Sequence, residues 1–162
     1  MKRAMVVVVT LATMLLLSML VGPIHSEPKP AAIGFIEHVG INVRDVVATV
    51  DWCTKNLDMK VARKTGDPSN AHFITDASGR TMLEIYSNTS APMPDYKKMH
   101  PLTLHIAFAV EDVPAARDRL IKAGATPEGE ISTTELGDTL AMLRTPEGIP
   151  IQLAKRATPM VK

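Results

Sequence analysis

The sequence predicts an α+β fold of two βαβββ modules that together form a curved sheet cleft, and three observations lead there. Shifting the chain against itself by 67 residues aligns His38, Val43, Asp45, Val46 and Ala48 with His105, Val110, Asp112, Val113 and Ala115, which marks an internal duplication. In each copy an apolar, strand-like stretch runs into an Asp suited to cap a helix, Asp45 or Asp112. Each copy closes with two strand-like runs around a turn that ends in glycine, Gly79 or Gly148.

The elements follow in order. Residues 35–43 and 102–110 read as the first strand of each copy, and a helix of about three turns follows each Asp cap. In the second copy Pro114 falls in the first helical turn, where its missing N–H costs nothing, and Gly124 marks the helix end after Ala123. One strand follows each helix, at 59–63 and 126–131, and then a hairpin: 71–75 with 80–86, and 139–144 with 149–154. Residues 88–101, with Pro92, Pro94 and Pro101, read as the connector. The expected domain spans 33–155, module one being 33–87 and module two 102–155, with a short tail at 156–162.

The first 26 residues are of another kind. Lys2 and Arg3 precede an uncharged apolar run, Gly22 and Pro23 break it, and Ser26 offers a small residue before a cut. This is the plan of a secretory signal peptide, which predicts an exported protein, periplasmic or secreted. The rival is an uncleaved N-terminal membrane anchor, since the run at 4–21 approaches the roughly 17–25 residues that span a bilayer. The other 136 residues hold 16 basic against 17 acidic side chains, so the sequence gives no electrostatic case for a nucleic-acid partner. This composition excludes disorder, collagen, coiled coil and a polytopic membrane protein. Cys53 is the only cysteine, so packing rather than a disulfide must hold the fold, and Cys53 itself reads as a small buried apolar residue.

Strands with one buried face alternate, so a polar residue on the face opposite the bulky apolar ones marks the functional side. His38 lies opposite Val39, Ile41 and Val43, and His105 opposite Leu104, Ile106, Phe108 and Val110. Glu84 between Leu83 and Ile85, and Gln152 between Ile151 and Leu153, point the same way. Registering both hairpins on four-residue turns places Ala71 opposite Glu84 and Ala141 opposite Gln152, small residues that leave room for an ion. Two imidazoles, a carboxylate and an amide oxygen can then converge, a set that suits a divalent metal such as Zn, Ni, Co, Mn or Fe(II). Parity adds Asn42, Met82 and Tyr86 as substrate-contacting wall. It turns His72 toward the helix, and leaves Arg44, Lys64 and Arg80 as solvated charges able to meet an anionic substrate.

These residues resemble the vicinal oxygen chelate superfamily, which includes glyoxalase I, bleomycin and fosfomycin resistance proteins, methylmalonyl-CoA epimerase and extradiol dioxygenases. The resemblance rests on Glu37-His38-Val39-Gly40-Ile41-Asn42-Val43-Arg44-Asp45, on Leu83-Glu84-Ile85, on 105–112, on Ala123-Gly124-Ala125 and on 145–153. It implies paired βαβββ modules with metal ligands on the first and last strands of each, at His38, Glu84, His105 and Gln152. The departure is Gln152, where glyoxalase I, the fosfomycin enzymes and the dioxygenases usually carry glutamate. The epimerase pattern keeps one glutamine and one glutamate but exchanges them between modules. The resemblance therefore implies a metal-dependent lyase or isomerase acting on a small oxygenated molecule, with Glu84 as the carboxylate that moves the proton. An Fe(II) extradiol-type dioxygenase and a metal-free binding or resistance protein are the alternatives. It also permits a homodimer, sometimes with exchanged modules.

Overall fold

The computed structural model describes residues 34–160, so the predicted leader lies outside the described residues. Each copy opens with a short strand and a capped helix. β1 is Val39–Asn42 and α1 is Val46–Asn56, begun where the Asp45 side chain accepts from Ala48 N at 2.8 Å. Val46, Thr49, Val50 and Cys53, at helical spacing, are the buried residues of α1. β2 (Lys60–Lys64), β3 (His72–Thr75) and β4 (Met82–Tyr86) complete the first sheet, ordered β1-β4-β3-β2.

The second copy repeats the plan. β5 is Ile106–Ala109 and α2 is Val113–Lys122, capped by Asp112 on Ala115 N at 2.9 Å and ended at Ala123, with Gly124 at φ +93°. β6 (Thr126–Pro127), β7 (Ser132–Thr133), β8 (Thr139–Arg144) and β9 (Pro150–Lys155) follow. The order β5-β9-β8-β6, with β7 also on β8, matches the first sheet. In both sheets the first strand runs parallel to the last and sits at an edge. Among the described residues no helix is long and apolar enough to cross a membrane.

Three expectations need correction. The first strands are shorter than 35–43 and 102–110 because a strand lasts only while it has a partner: β4 starts at Met82 and β9 at Pro150. Residues 101–103 form a turn instead, with Thr103 N bonded to His100 O, and Leu102 and Leu104 stay exposed. The expected strand at 126–131 is two short pieces, β6 and β7, flanking Gly129 at φ +79°. Both hairpin registers also differ. Thr75 pairs with Met82, so Phe73 rather than Ala71 faces Glu84, while Arg144 pairs with Pro150, so Met142 rather than Ala141 faces Gln152.

Two apolar cores lie between helix and sheet, one on Val43, Val50, Ile74 and Ile85, the other on Val113, Leu120, Leu143 and Ile151. Trp52, Leu57 and Phe108 pack against both. Polar contacts join the copies as well: Trp52 Nε1 donates to Ala123 O at 2.8 Å and an Arg119 guanidinium nitrogen to Asn56 O at 2.9 Å. The connector is fastened by Arg144, whose buried guanidinium pairs with Glu128 and donates to Tyr96 O, Met99 O and Gly148 O.

Candidate functional site

The site starts from β1 and β4. Their parallel register sets Gly40 beside Glu84 and Asn42 beside Tyr86, while Ile41, Leu83 and Ile85 turn into the core. Gly40 makes the crowding on this face possible. A Cβ there would lie 3.2 Å from Tyr86 Cε1 and 3.5 Å from Glu84 Oε2.

His38 stands just before β1, and its Nε2 lies 3.3 Å from Glu84 Oε2. Its Nδ1 is bonded to the neighbouring Glu37 carboxylate, and Phe73 packs edge-on against the ring with centroids 5.5 Å apart and planes at 87°. The Glu37 carboxylate raises the His38 pKa above the ordinary imidazole value, with Glu84 adding to the effect and burial opposing it.

The second copy holds the equivalent residues. His105 precedes β5, its Nδ1 against Pro101 O at 3.1 Å, and Gln152 is half-buried beside Ala107 across the parallel pair. Among the described residues no three His, Cys, Asp or Glu side chains come together to hold an ion. The chain thus brings His38 and Glu84 together as one half of the expected ligand set, and carries His105 and Gln152 on the other sheet.

This half fits a divalent ion. Two ligand atoms about 2.0–2.1 Å from a tetrahedral ion lie about 3.3 Å apart, which matches the 3.3 Å between His38 Nε2 and Glu84 Oε2. The donor types fit as well, imidazole nitrogen beside carboxylate oxygen.

The remaining candidates divide. Tyr86 and Met82 are half-buried and share the Glu84 face. Asn42 does not serve as free pocket wall: its Nδ2 donates to Asn88 O at 2.9 Å and its Oδ1 accepts from Asn88 N at 2.8 Å, closing a ring that fastens the connector's start. His72 is buried on the helix side, Nδ1 against Asn70 O at 2.9 Å, as parity requires. Arg44, Lys64 and Arg80 are exposed. Glu37 and Phe73 escaped sequence reasoning. Adjacency alone hinted at Glu37, and the two-residue register shift concealed Phe73.

Two open depressions lie away from this pair. One of about 620 Å³, lined by Leu57, Met59, Leu83, Phe108 and Leu120, includes none of the four candidate ligands. The other, about 500 Å³, lies along Ala107, Ala109, Ala154 and Arg156 on the second sheet.

Known proteins agree with this architecture. The ethylmalonyl-CoA/methylmalonyl-CoA epimerase of Cereibacter sphaeroides is 32% identical over 98 residues, covering 57% of this chain and 73% of that protein. A glyoxalase family protein from Enterococcus faecalis superposes with a TM-score of 0.59 at 26% identity, over 76% of this chain and 98% of that one. A glyoxalase family protein from Bacillus cereus gives a TM-score of 0.68 at 19% identity, over 81% and 99%, a likeness of fold. The family model matches residues 35–153, and on that match together with the duplicated sheets the chain belongs to the glyoxalase/bleomycin resistance protein/dioxygenase superfamily.

Proposed function

We propose that this protein is an exported, divalent-metal-dependent isomerase or lyase that moves a proton on a small oxygenated substrate. The observation that carries the reading is the His38–Glu84 pair, an imidazole and a carboxylate 3.3 Å apart with the far ring nitrogen already bonded. His38, Glu84, His105 and Gln152 would hold the ion, which supplies electrophilic polarisation of the substrate oxygens. Glu84 is the one carboxylate among these four, and so the group that takes the proton from the substrate carbon. Gln152 cannot accept it, because an amide is not a base at neutral pH. Tyr86 and Met82, on the Glu84 face, wall the substrate.

The similarity to an epimerase supports proton transfer next to a carbonyl as the reaction class. Export favours a free small molecule over a CoA or glutathione thioester, because those thiols belong chiefly to the cytosol. The second half-site, His105 with Gln152, joins the first in a homodimer with exchanged modules, for which the 88–101 connector has the length.

Metal analysis of the protein matured in its own exported compartment, beside His105→Ala, tests the reading. About one ion per site in the wild type and loss in the variant support it. A wild type without stoichiometric metal overturns it and leaves a metal-free binding protein. Solvent-deuterium incorporation next to the carbonyl of methylmalonyl-CoA and of smaller α-hydroxy ketones then reads the proton transfer, and oxygen uptake with catechols would assign a dioxygenase instead.

A further inference from the structure

His38 and His105 occupy equivalent positions of the duplicated module, and both rings are held by the same nitrogen. His105 Nδ1 faces the Pro101 carbonyl, an atom that only accepts, so this nitrogen carries the proton and Nε2 keeps its lone pair. His38 has an acceptor at each ring nitrogen, Glu37 at Nδ1 and Glu84 at Nε2. The Glu37 contact is the closer of the two, so it favours the proton on Nδ1, the same tautomer as His105, and leaves Nε2 toward Glu84. Neighbouring side chains on a strand point to opposite faces. Residues 37 and 38 can meet only because they precede β1, which begins at Val39. Phe73 fixes the plane of the ring from a further side.

A role in stability does not account for Glu37. Its side chain is 60% exposed, and pairs of that kind contribute little to folding. We propose that Glu37 is a positioning residue for metal binding: it holds His38 as the Nδ1–H tautomer with Nε2 directed at an ion shared with Glu84. The Pro101 carbonyl performs the same task for His105. Such partners orient ligating imidazoles and raise their basicity, and a carboxylate does the second more strongly than a neutral carbonyl. The proposal rests on the metal-binding reading above, and the experiment separates the two.

Ring-labelled histidine in the metal-free full chain reports the tautomer of each neutral imidazole by nitrogen NMR. Titration with zinc against a chelator reports affinity. The wild type is expected to show His38 as Nδ1–H. Glu37→Ala should shift it toward Nε2–H and weaken zinc binding by about 10–100-fold, with Glu37→Gln, which keeps an acceptor oxygen, falling between. Melting of the metal-free variants should match the wild type within about 2 °C, as for other exposed substitutions. Wild-type His38 in the Nε2–H form, or a Glu37→Ala variant with unchanged tautomer and affinity, overturns the proposal. A wild type with the Nδ1–H tautomer but no affinity for zinc overturns the metal reading and the positioning role with it, and leaves only a local hydrogen bond.

Discussion

Gly148 offers the sharpest test of how the second hairpin is built. It sits at φ +97°, and a Cβ there would lie 2.5 Å from Lys97 Cγ, 2.8 Å from Lys97 N and 3.2 Å from Lys97 Cα. Two penalties follow from Gly148→Ala. The left-handed backbone costs an L-residue about 1–2 kcal/mol. The clash is partly with backbone, which cannot swing away, and overpacking of that kind costs a further ~1–3 kcal/mol. Gly129 separates the terms, since it has φ +79° with nothing within 4 Å of a Cβ, so Gly129→Ala suffers the backbone penalty alone. At about 4 °C per kcal/mol for a domain of this size, Gly148→Ala should melt about 8–20 °C below wild type and Gly129→Ala about 4–8 °C below. Calorimetry on the three proteins decides. Equal shifts for the two variants would refute the contact between Lys97 and the turn, and with it the idea that connector and hairpin lock each other.

Arg144→Met removes a buried guanidinium from Glu128 and from three backbone carbonyls, so urea titration should show a loss of about 3–5 kcal/mol; a loss under about 1 kcal/mol would mean the connector is held by other contacts. Cys53 is buried and its thiol is pushed up to about 12 by desolvation, so a disulfide reagent at pH 8 should label it only after unfolding. Prompt stoichiometric labelling of the native protein would contradict that burial. Asp138 is held below the usual carboxylate range by Arg156 and by Ala157 N. A depressed folded-state pKa stabilises above the unfolded value, near 3.9, and that stability is lost as pH falls through the folded value. The stability gap between wild type and Asp138→Asn should therefore hold from about pH 7 to 5 and shrink below about pH 4, and parallel profiles would exclude the linkage.

What the sequence showed and what it concealed have the same physical origin. The duplication, the Asp45 and Asp112 caps and the inward apolar positions are local patterns, and local patterns survive into the structure. Register depends on loop length, which turn residues constrain only loosely. In the first hairpin the Asp76 side chain accepts from Arg80 N and Thr81 N, lengthening the loop by two residues. An even shift preserves parity, so Glu84 stayed on its face although Phe73 replaced Ala71 opposite it. In the second hairpin Thr145 N bonds to Ile149 O around Gly148, and the loop lengthens by one. An odd shift reverses parity, so Ala141 went into the core and Met142 faced Gln152. The bonding of Asn42 was hidden for a different reason: its partner, Asn88, lies 46 residues away and no local pattern announces it.

Gly40 lies two residues after His38 and pairs with Glu84, while Ala107 lies two after His105 and pairs with Gln152, so the two acidic or amide positions are equivalent places in one scaffold. The first copy carries two carboxylates against its candidate ligand His38, Glu37 and Glu84, whereas the second offers the Gln152 amide and the Pro101 carbonyl. If both halves serve one ion, moving the carboxylate across should preserve its attraction. Glu84→Gln alone should weaken zinc binding, and adding Gln152→Glu should recover most of the loss, since an opposite charge is attracted wherever in the shell it sits. If Glu84 moves the proton, as proposed, that transfer should not recover in parallel, because the carboxylate would then approach the substrate carbon from the other side. A double variant that binds zinc no better than Glu84→Gln would place Gln152 outside the metal's reach and confine binding to the first copy.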